Sequence, residues 1–375
     1  MKIGIMTFWW SEDNYGQLLQ CYALQKYLRN LGHDAFLIRY LPEKETNYSL
    51  KRFLSIFNPT KVIRYILKRK QYKLAREEQT DHPRHFEEFR SKYIVQSDRI
   101  YYSYNELKNN PPEADIFIVG SDQVWNFPNI TMKGRINAYC LQFTSQKAKR
   151  IAYAASFGVD SLNENISNQI QSLIRTFSSV GVREISGKEI CNKMGINANV
   201  VCDPTLLLEK SQWTQIKTKV DGIRKKYIFL YLLKNTCSFS VKKLKNWANL
   251  NNLDLVYVSG NNAYYDTDFD DKDINKSYLT INQWLFYLSE AEYVITNSFH
   301  CCVFSLIFNK KVAVVPLTSS LKRTNDRINS LFMNLDAHKT EIVNNDFSVL
   351  EKCNQQTINT TFIEKSKRLL DSYLN

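Results

Sequence analysis

The sequence predicts an α/β protein of two halves, each organised around a doubly wound parallel sheet and facing the other across a cleft. Three observations carry this. The first forty residues read strand, loop, helix, strand; the same alternation resumes in the second half; and 375 residues exceed twice the roughly 150 of an average domain. Hydrophobic residues make up 44% of the chain, enough apolar surface to offset chain entropy, which excludes wholesale disorder. With 11 Gly, 8 Pro and no short repeat, collagen-like, low-complexity and solenoid architectures are excluded as well.

Residues 2–7 alternate as a first strand, and Asn14-Tyr15-Gly16 opens a helix in which Cys21, Leu24, Leu28 and Leu31 recur at helical spacing until Gly32. Residues 35–39 return to strand. The stretch 50–79 breaks the rhythm, its Lys and Arg residues interleaved with Phe53, Ile56, Phe57, Val62, Ile63 and Leu67. It predicts a basic amphipathic helical insertion, either a solvated face or a surface for an acidic membrane or anionic acceptor. A buried-type strand follows at 114–120, then a strand at 150–156, a helix at 166–177, a strand at 179–183 and a helix at 187–193. Residues 200–202 end this half, and Asp203-Pro204-Thr205 marks a turn. The second half predicts strands at 227–233, 253–259, 293–296 and 311–316, with helices at 240–250, 281–291, 300–308, 326–335 and 363–373. The expected organisation is a first domain over 1–205, a linker over 206–222, a second domain over 223–350 and a terminal helix over 351–375.

The net charge of +13 biases the chain toward anionic partners. No recognised RNA or DNA module accompanies it, so nucleic acid is not expected. No apolar run approaches the 18 or so residues of a membrane span. Residues 3–10 imitate a signal peptide, but Glu12 and Asp13 follow at once and no small-residue cleavage site appears. The reading is a first strand in a cytoplasmic protein. The 8 Cys are dispersed without a CxxC pair and read as reduced structural thiols.

Ligands in such folds bind beyond the carboxyl ends of strands, so polar residues there are the candidates. Asn297, Ser298 and His300 stand where a buried strand turns into a helix, a place for an anion, with His300 able to add a proton or charge. Arg183 ends another buried strand; the competing reading pairs it structurally with Glu184 or Glu189. Lys322, Arg323 and Arg327 follow a third strand. Asn14, Tyr15, Gly16 and Gln17 occupy the first strand-to-helix turn, where exposed amides suit an anion or sugar hydroxyl. Without GxGxxG or a P-loop, no dinucleotide or ATP cradle is predicted. Ser121, Asp122, Gln123 and Asn126 surround Trp125, a mixture suited to gripping a sugar. No metal or other cofactor is expected: Asp266-Thr267-Asp268 reads as part of a solvated acidic loop, Cys301 and Cys302 as buried packing, and His82 and His85 lack partner ligands.

Together these blocks resemble the polysaccharide pyruvyl transferase family. The resemblance lies in Asn14-Tyr15-Gly16 with Leu19, Gln20, Tyr22, Ala23 and Leu24, and in Gly120 through Asn126 and Tyr153 through Gly158. It continues in Val182-Arg183-Glu184, Asp203-Pro204-Thr205, and Ser298-Phe299-His300 followed by Phe304-Ser305. It runs in order over nearly the whole chain. It implies a GT-B-like fold of two Rossmann-like domains, and transfer of pyruvate from phosphoenolpyruvate to a sugar of a cell-surface polysaccharide, an exopolysaccharide, or its lipid-linked precursor. It further implies that His300 and Arg183 are catalytic and donor-binding; the chemistry of ketal formation, which needs the acceptor hydroxyl deprotonated, adds Asp122 as a candidate base. Asn297, Ser298, Arg323 and Arg327 fall on the donor side, and Asn14, Tyr15, Gly16, Gln17, Ser121, Gln123 and Trp125 on the acceptor side. One departure stands out: some relatives carry arginine where this chain has Ser298, so either Arg323 or Arg327 substitutes or the donor differs. The competing functions are a glycosyltransferase of the same architecture using a sugar nucleotide, and a glycan-binding protein without catalysis. A lipid-linked acceptor would give the basic insertion a role at the inner membrane face. Salt-sensitive binding to anionic liposomes is then expected, and neutralising Lys68, Arg69 and Lys70 abolishes it; unchanged binding in a flotation assay contradicts that role.

Overall fold

The computed structural model describes residues 1–42, 77–127, 135–145, 147–233, 239–260, 276–317 and 325–375. Most of the insertion expected at 50–79, together with Lys322, Arg323 and the acidic run containing Asp266 and Asp268, lies outside the described residues.

Two parallel sheets form the frame. The first contains β1 (Lys2–Met6), β2 (Asp34–Tyr40), β3 (Gln96–Tyr101), β4 (Ile116–Val119), β5 (Lys149–Ala155), β6 (Ser179–Val182) and β7 (Asn199–Val200). Its strands run in the order β3-β2-β1-β4-β5-β6-β7. The second contains β8 (Tyr227–Leu232), β9 (Asp254–Ser259), β10 (Tyr293–Thr296), β11 (Lys311–Val314) and β12 (Thr340–Glu341), in the order β12-β11-β10-β8-β9. Among the described residues every strand pairing is parallel. The apolar runs explain this, because β4 and β8 are buried at every position and so must be covered on both faces. Each half is Rossmann-like, and the pair has the GT-B-like architecture expected. Strand order reverses between β1 and β4 in the first sheet and between β8 and β10 in the second. The crevices beyond those carboxyl ends are where loops can gather side chains around a ligand.

Local chemistry sets the helix starts that line the crevices. The Asn14 side chain accepts from the Gln17 amide to cap the Tyr15–Asn30 helix, and Ser298 caps Phe299–Ile307 through the Cys301 amide. The helix expected at 166–177 begins earlier, at Glu164, because Asn163 caps it. Among the elements not expected are β3, with Asp98 and Arg99 exposed, and the helices Phe86–Tyr93 and Tyr104–Asn109.

The halves meet through an aromatic junction. Tyr15 has no exposed surface; its ring stacks on Trp284 at 5.3 Å and its hydroxyl donates to the Leu279 carbonyl at 2.7 Å. Trp213 and Phe304 meet edge to face at 4.7 Å on the same seam. The terminal helix, Thr361–Leu374, is tied to the first half: Ser366 accepts from the Cys202 amide at 2.9 Å, and the Tyr373 hydroxyl accepts from Asn199 Nδ2 at 3.0 Å. Among the described residues no helix is long and apolar enough to cross a membrane. Removing the Tyr15 ring opens a cavity at the seam, so Tyr15→Ala costs about 3–5 kcal/mol, whereas Tyr15→Phe, which removes only a hydrogen bond, costs about 1 kcal/mol. Thermal unfolding of the two variants checks that ranking.

Candidate active site

The site is assembled around Asp203, which follows β7 at the end of the first half. Its Oδ1 accepts from the Thr205 amide at 3.1 Å and hydroxyl at 2.7 Å, starting the short 3-10 turn Pro204–Leu206. That leaves Oδ2 facing the crevice, where it accepts from Ser121 Oγ at 2.9 Å and Arg183 Nη1 at 3.0 Å. His300 Nε2 lies 3.4 Å from the same oxygen. Burial pulls the Asp203 pKa upward, but His300, Arg183 and the Thr205 hydrogen bond outweigh it and hold the carboxyl well below its usual range. A fully buried carboxylate thus stays ionised and draws groups from both halves to one atom.

Arg183 leaves the end of β6 with its guanidinium 4.5 Å from the centre of the Phe299 ring. Nη1 is committed to Asp203, while Nε and Nη2 are buried without a hydrogen-bond partner. Its other carboxylate neighbours stand off, Glu184 Oε2 at 3.9 Å from Nε and Asp122 Oδ1 at 4.0 Å from Nη2. The structural-pairing alternative of the sequence reading is therefore partly met by Glu184, whereas Glu189 is exposed on the next helix. His300 sits in the first turn of Phe299–Ile307, and its Nε2 is also buried without a hydrogen bond. The close approach of the halves depends on Gly16: a Cβ there would lie 2.2 Å from His300 Nδ1. Gly120 is constrained too, with φ of +114° and a Cβ that would meet the Tyr153 carbonyl at 2.2 Å.

Arg327, half-buried on the Asn325–Asn334 helix, joins the group. Burial and the Arg183 charge push its pKa down to about 10, while Glu184, Asp122 and Asp203 act in the opposite direction. With the Gln123 amide turned so that its oxygen faces the guanidinium, that oxygen accepts from Arg327 at 2.9 and 3.2 Å. Asn14, Gln17, Asp122 and Gln123 line a neighbouring cavity of about 290 Å³ in the first half.

Other residues read from the sequence turn out differently. Tyr15 is wholly buried in the junction between the halves, its hydroxyl committed to the Leu279 carbonyl. Trp125 is wholly buried against Phe157 and Phe177, its Nε1 donating to the Tyr139 carbonyl at 3.2 Å, so its faces are closed to a sugar. Ser121 is likewise buried, its hydroxyl committed to Asp203. Asn297 accepts from the Leu233 amide at 2.8 Å, and Ser298 caps its own helix, so both shape the loop after β10. Burial pushes the Cys301 thiol up to about 12. His82 stacks on Tyr278 and His85 pairs with Glu88 at 2.9 Å. Among the described residues no three His, Cys, Asp or Glu side chains gather as metal ligands. Asp203 and Glu184 are the residues the sequence reading left out of the site. The signal available for Asp203 was its position, directly after a short strand and before a proline.

The family model for polysaccharide pyruvyl transferase matches residues 14–319. No curated protein matches the sequence. Among solved structures, the UDP-GlcNAc 2-epimerase of Methanocaldococcus jannaschii, in complex with UDP-GlcNAc and UDP, aligns with a TM-score of 0.55 at 13% identity, over 100% of this chain and 99% of that one. The UDP-N-acetylglucosamine 2-epimerase of Rickettsia bellii aligns with a TM-score of 0.55 at 11% identity, over 100% and 96%. At such identities these likenesses concern the fold.

Asp203→Asn leaves the Arg183 charge buried and poorly compensated, which costs about 3–5 kcal/mol. Because the folded pKa of Asp203 is depressed, its contribution is present above the unfolded value of about 3.9 and is lost as pH falls below it. Unfolding followed from pH 7 down to pH 3 is therefore expected to show the wild type losing stability below about pH 4 more steeply than the variant.

Proposed function

The chain belongs to the polysaccharide pyruvyl transferase family, and from that premise we propose that it transfers the pyruvyl group of phosphoenolpyruvate to sugar hydroxyls as a ketal, releasing phosphate. The observation that carries the proposal is the set of buried nitrogens without a well-formed hydrogen bond, Arg183 Nε and Nη2 and His300 Nε2, on side chains gathered at Asp203. Buried donors without partners are rare in folded proteins and call for an explanation. An anionic ligand bearing several oxygens supplies one.

Ketal formation from an enol phosphate needs a proton at the methylene carbon, stabilisation of the oxocarbenium-like centre, attack by sugar oxygens and departure of phosphate. In this reading Arg183 offers its free N–H groups to the donor carboxylate. His300, its Nε2 held 3.4 Å from Asp203 Oδ2, supplies the proton or steadies the phosphate. Arg327 stands in for the guanidinium that Ser298 does not provide. Asp122, between Arg183 and the cavity, takes the acceptor's proton. Two guanidinium groups stand among Asp122, Glu184 and Asp203, so directed N–H groups, rather than an excess of positive charge, hold the donor. A further cation from Arg323 belongs to the same proposal.

Phosphate release from phosphoenolpyruvate, measured with candidate acceptors beside parallel incubations with sugar nucleotides, tests the reaction. Phosphate without nucleotide release is expected, and the reverse identifies a glycosyltransferase. Arg183→Ala and His300→Gln are each expected to lower turnover by about 10² or more. Rates within a few-fold of wild type remove those assignments.

A further inference from the structure

The cavity beside the cationic cluster contains features that the donor does not explain. Tyr139 and Asn126 both line it and are only 1% and 6% exposed. The Tyr139 hydroxyl and one amide atom of Asn126 have no hydrogen-bond partner. Turning the Gln123 and Asn126 amides exchanges which Asn126 atom is left over but does not satisfy both. Burial pushes the Tyr139 pKa well above its ordinary value, so the phenol keeps its proton and can donate. Two unsatisfied polar groups in one concave wall point to a ligand that brings hydroxyls of its own.

The rest of the wall narrows the class. Trp10 and Phe8 lie 5.3 Å apart at 60°, and Phe8 meets Tyr139 edge to face at 5.2 Å. Trp10 is half-buried, which leaves indole surface for the C–H face of a ring. Asp122 and Arg135 contribute one charge of each sign, which suits a neutral ring better than a diphosphate. The volume of about 290 Å³ is at the lower limit of small-ligand sites and matches one sugar unit rather than a nucleotide sugar.

We propose that this cavity is the acceptor subsite for one neutral pyranose unit, with Trp10 as its stacking platform and Tyr139 and Asn126 as readers of its hydroxyls. The inference deepens the proposed function and rests on it for the role of the bound sugar as acceptor. Asp122 joins the two regions, lining the cavity while its Oδ1 lies 4.0 Å from Arg183 Nη2. A hydroxyl held near Asp122 is thus presented toward the donor. Trp10 and Tyr139 replace Trp125 and Tyr15 as the aromatic residues of the acceptor side.

The test is saturation-transfer NMR on the full chain with methyl glycosides of glucose, galactose, mannose and N-acetylglucosamine, comparing wild type with Trp10→Ala and Tyr139→Phe. At least one glycoside is expected to bind wild type. Tyr139→Phe, which preserves the ring and hence the packing, weakens that binding about tenfold, and Trp10→Ala weakens it at least as much. No binding to wild type, or unaltered binding to both variants, overturns the subsite. Calorimetry of wild type with phosphoenolpyruvate separates the two readings: glycoside binding without donor binding leaves the subsite standing and removes the proposed reaction, and donor binding without glycoside binding does the opposite.

Discussion

The site depends on one buried carboxylate. Asp203 uses one oxygen to fix its own turn through Thr205 and turns the other toward Ser121, Arg183 and His300, residues that come from three loops and both halves of the chain. An isolated carboxylate or guanidinium at this depth carries a desolvation cost of several kcal/mol, and only mutual pairing offsets it. Asp203 and Arg183 are therefore stable in place only together. The arrangement stops short of full satisfaction: two Arg183 nitrogens and one of His300 have carboxylates at 3.4–4.0 Å but no well-formed hydrogen bond. A cluster paired enough to remain charged but not enough to be saturated is suited to receive a ligand.

Apolar packing supplies the distances. The Tyr15–Trp284 stack and the Trp213–Phe304 contact hold the halves close enough that Gly16 can carry no side chain beside His300. The terminal helix adds a second tie by returning to Cys202 and Asn199 in the first half. Because Cys202 immediately precedes Asp203, that helix steadies the very loop around which the charges gather. Junction and site are thus one mechanical unit, and substitutions in the aromatic seam should be felt at the imidazole.

The fold was legible because it is written in apolar runs. Strands such as β4 and β8 are hydrophobic throughout, and Asn14 and Ser298 mark helix starts with cap chemistry. The edge strand β3 was not, since Asp98 and Arg99 face solvent and leave no pattern to read. For the site, strand-end position drew attention to Arg183 and His300, which the structure brings to the same carboxylate. It could not tell a side chain facing the crevice from one facing the core. Trp125 and Tyr15 look alike in sequence to Trp10 and Tyr139, yet the first pair is closed off by neighbours distant in the chain and the second lines a cavity. Asp203 was hidden for a related reason: an Asp-Pro pair signals a turn whether or not its free oxygen meets an arginine from another strand.

The most direct measurement is a crystal structure of the protein with phosphoenolpyruvate. The account predicts the donor's anionic oxygens within about 3 Å of Arg183 Nη2 and His300 Nε2, with Asp203 still holding Nη1. A donor seated elsewhere, or an imidazole and guanidinium that separate on binding, would contradict it.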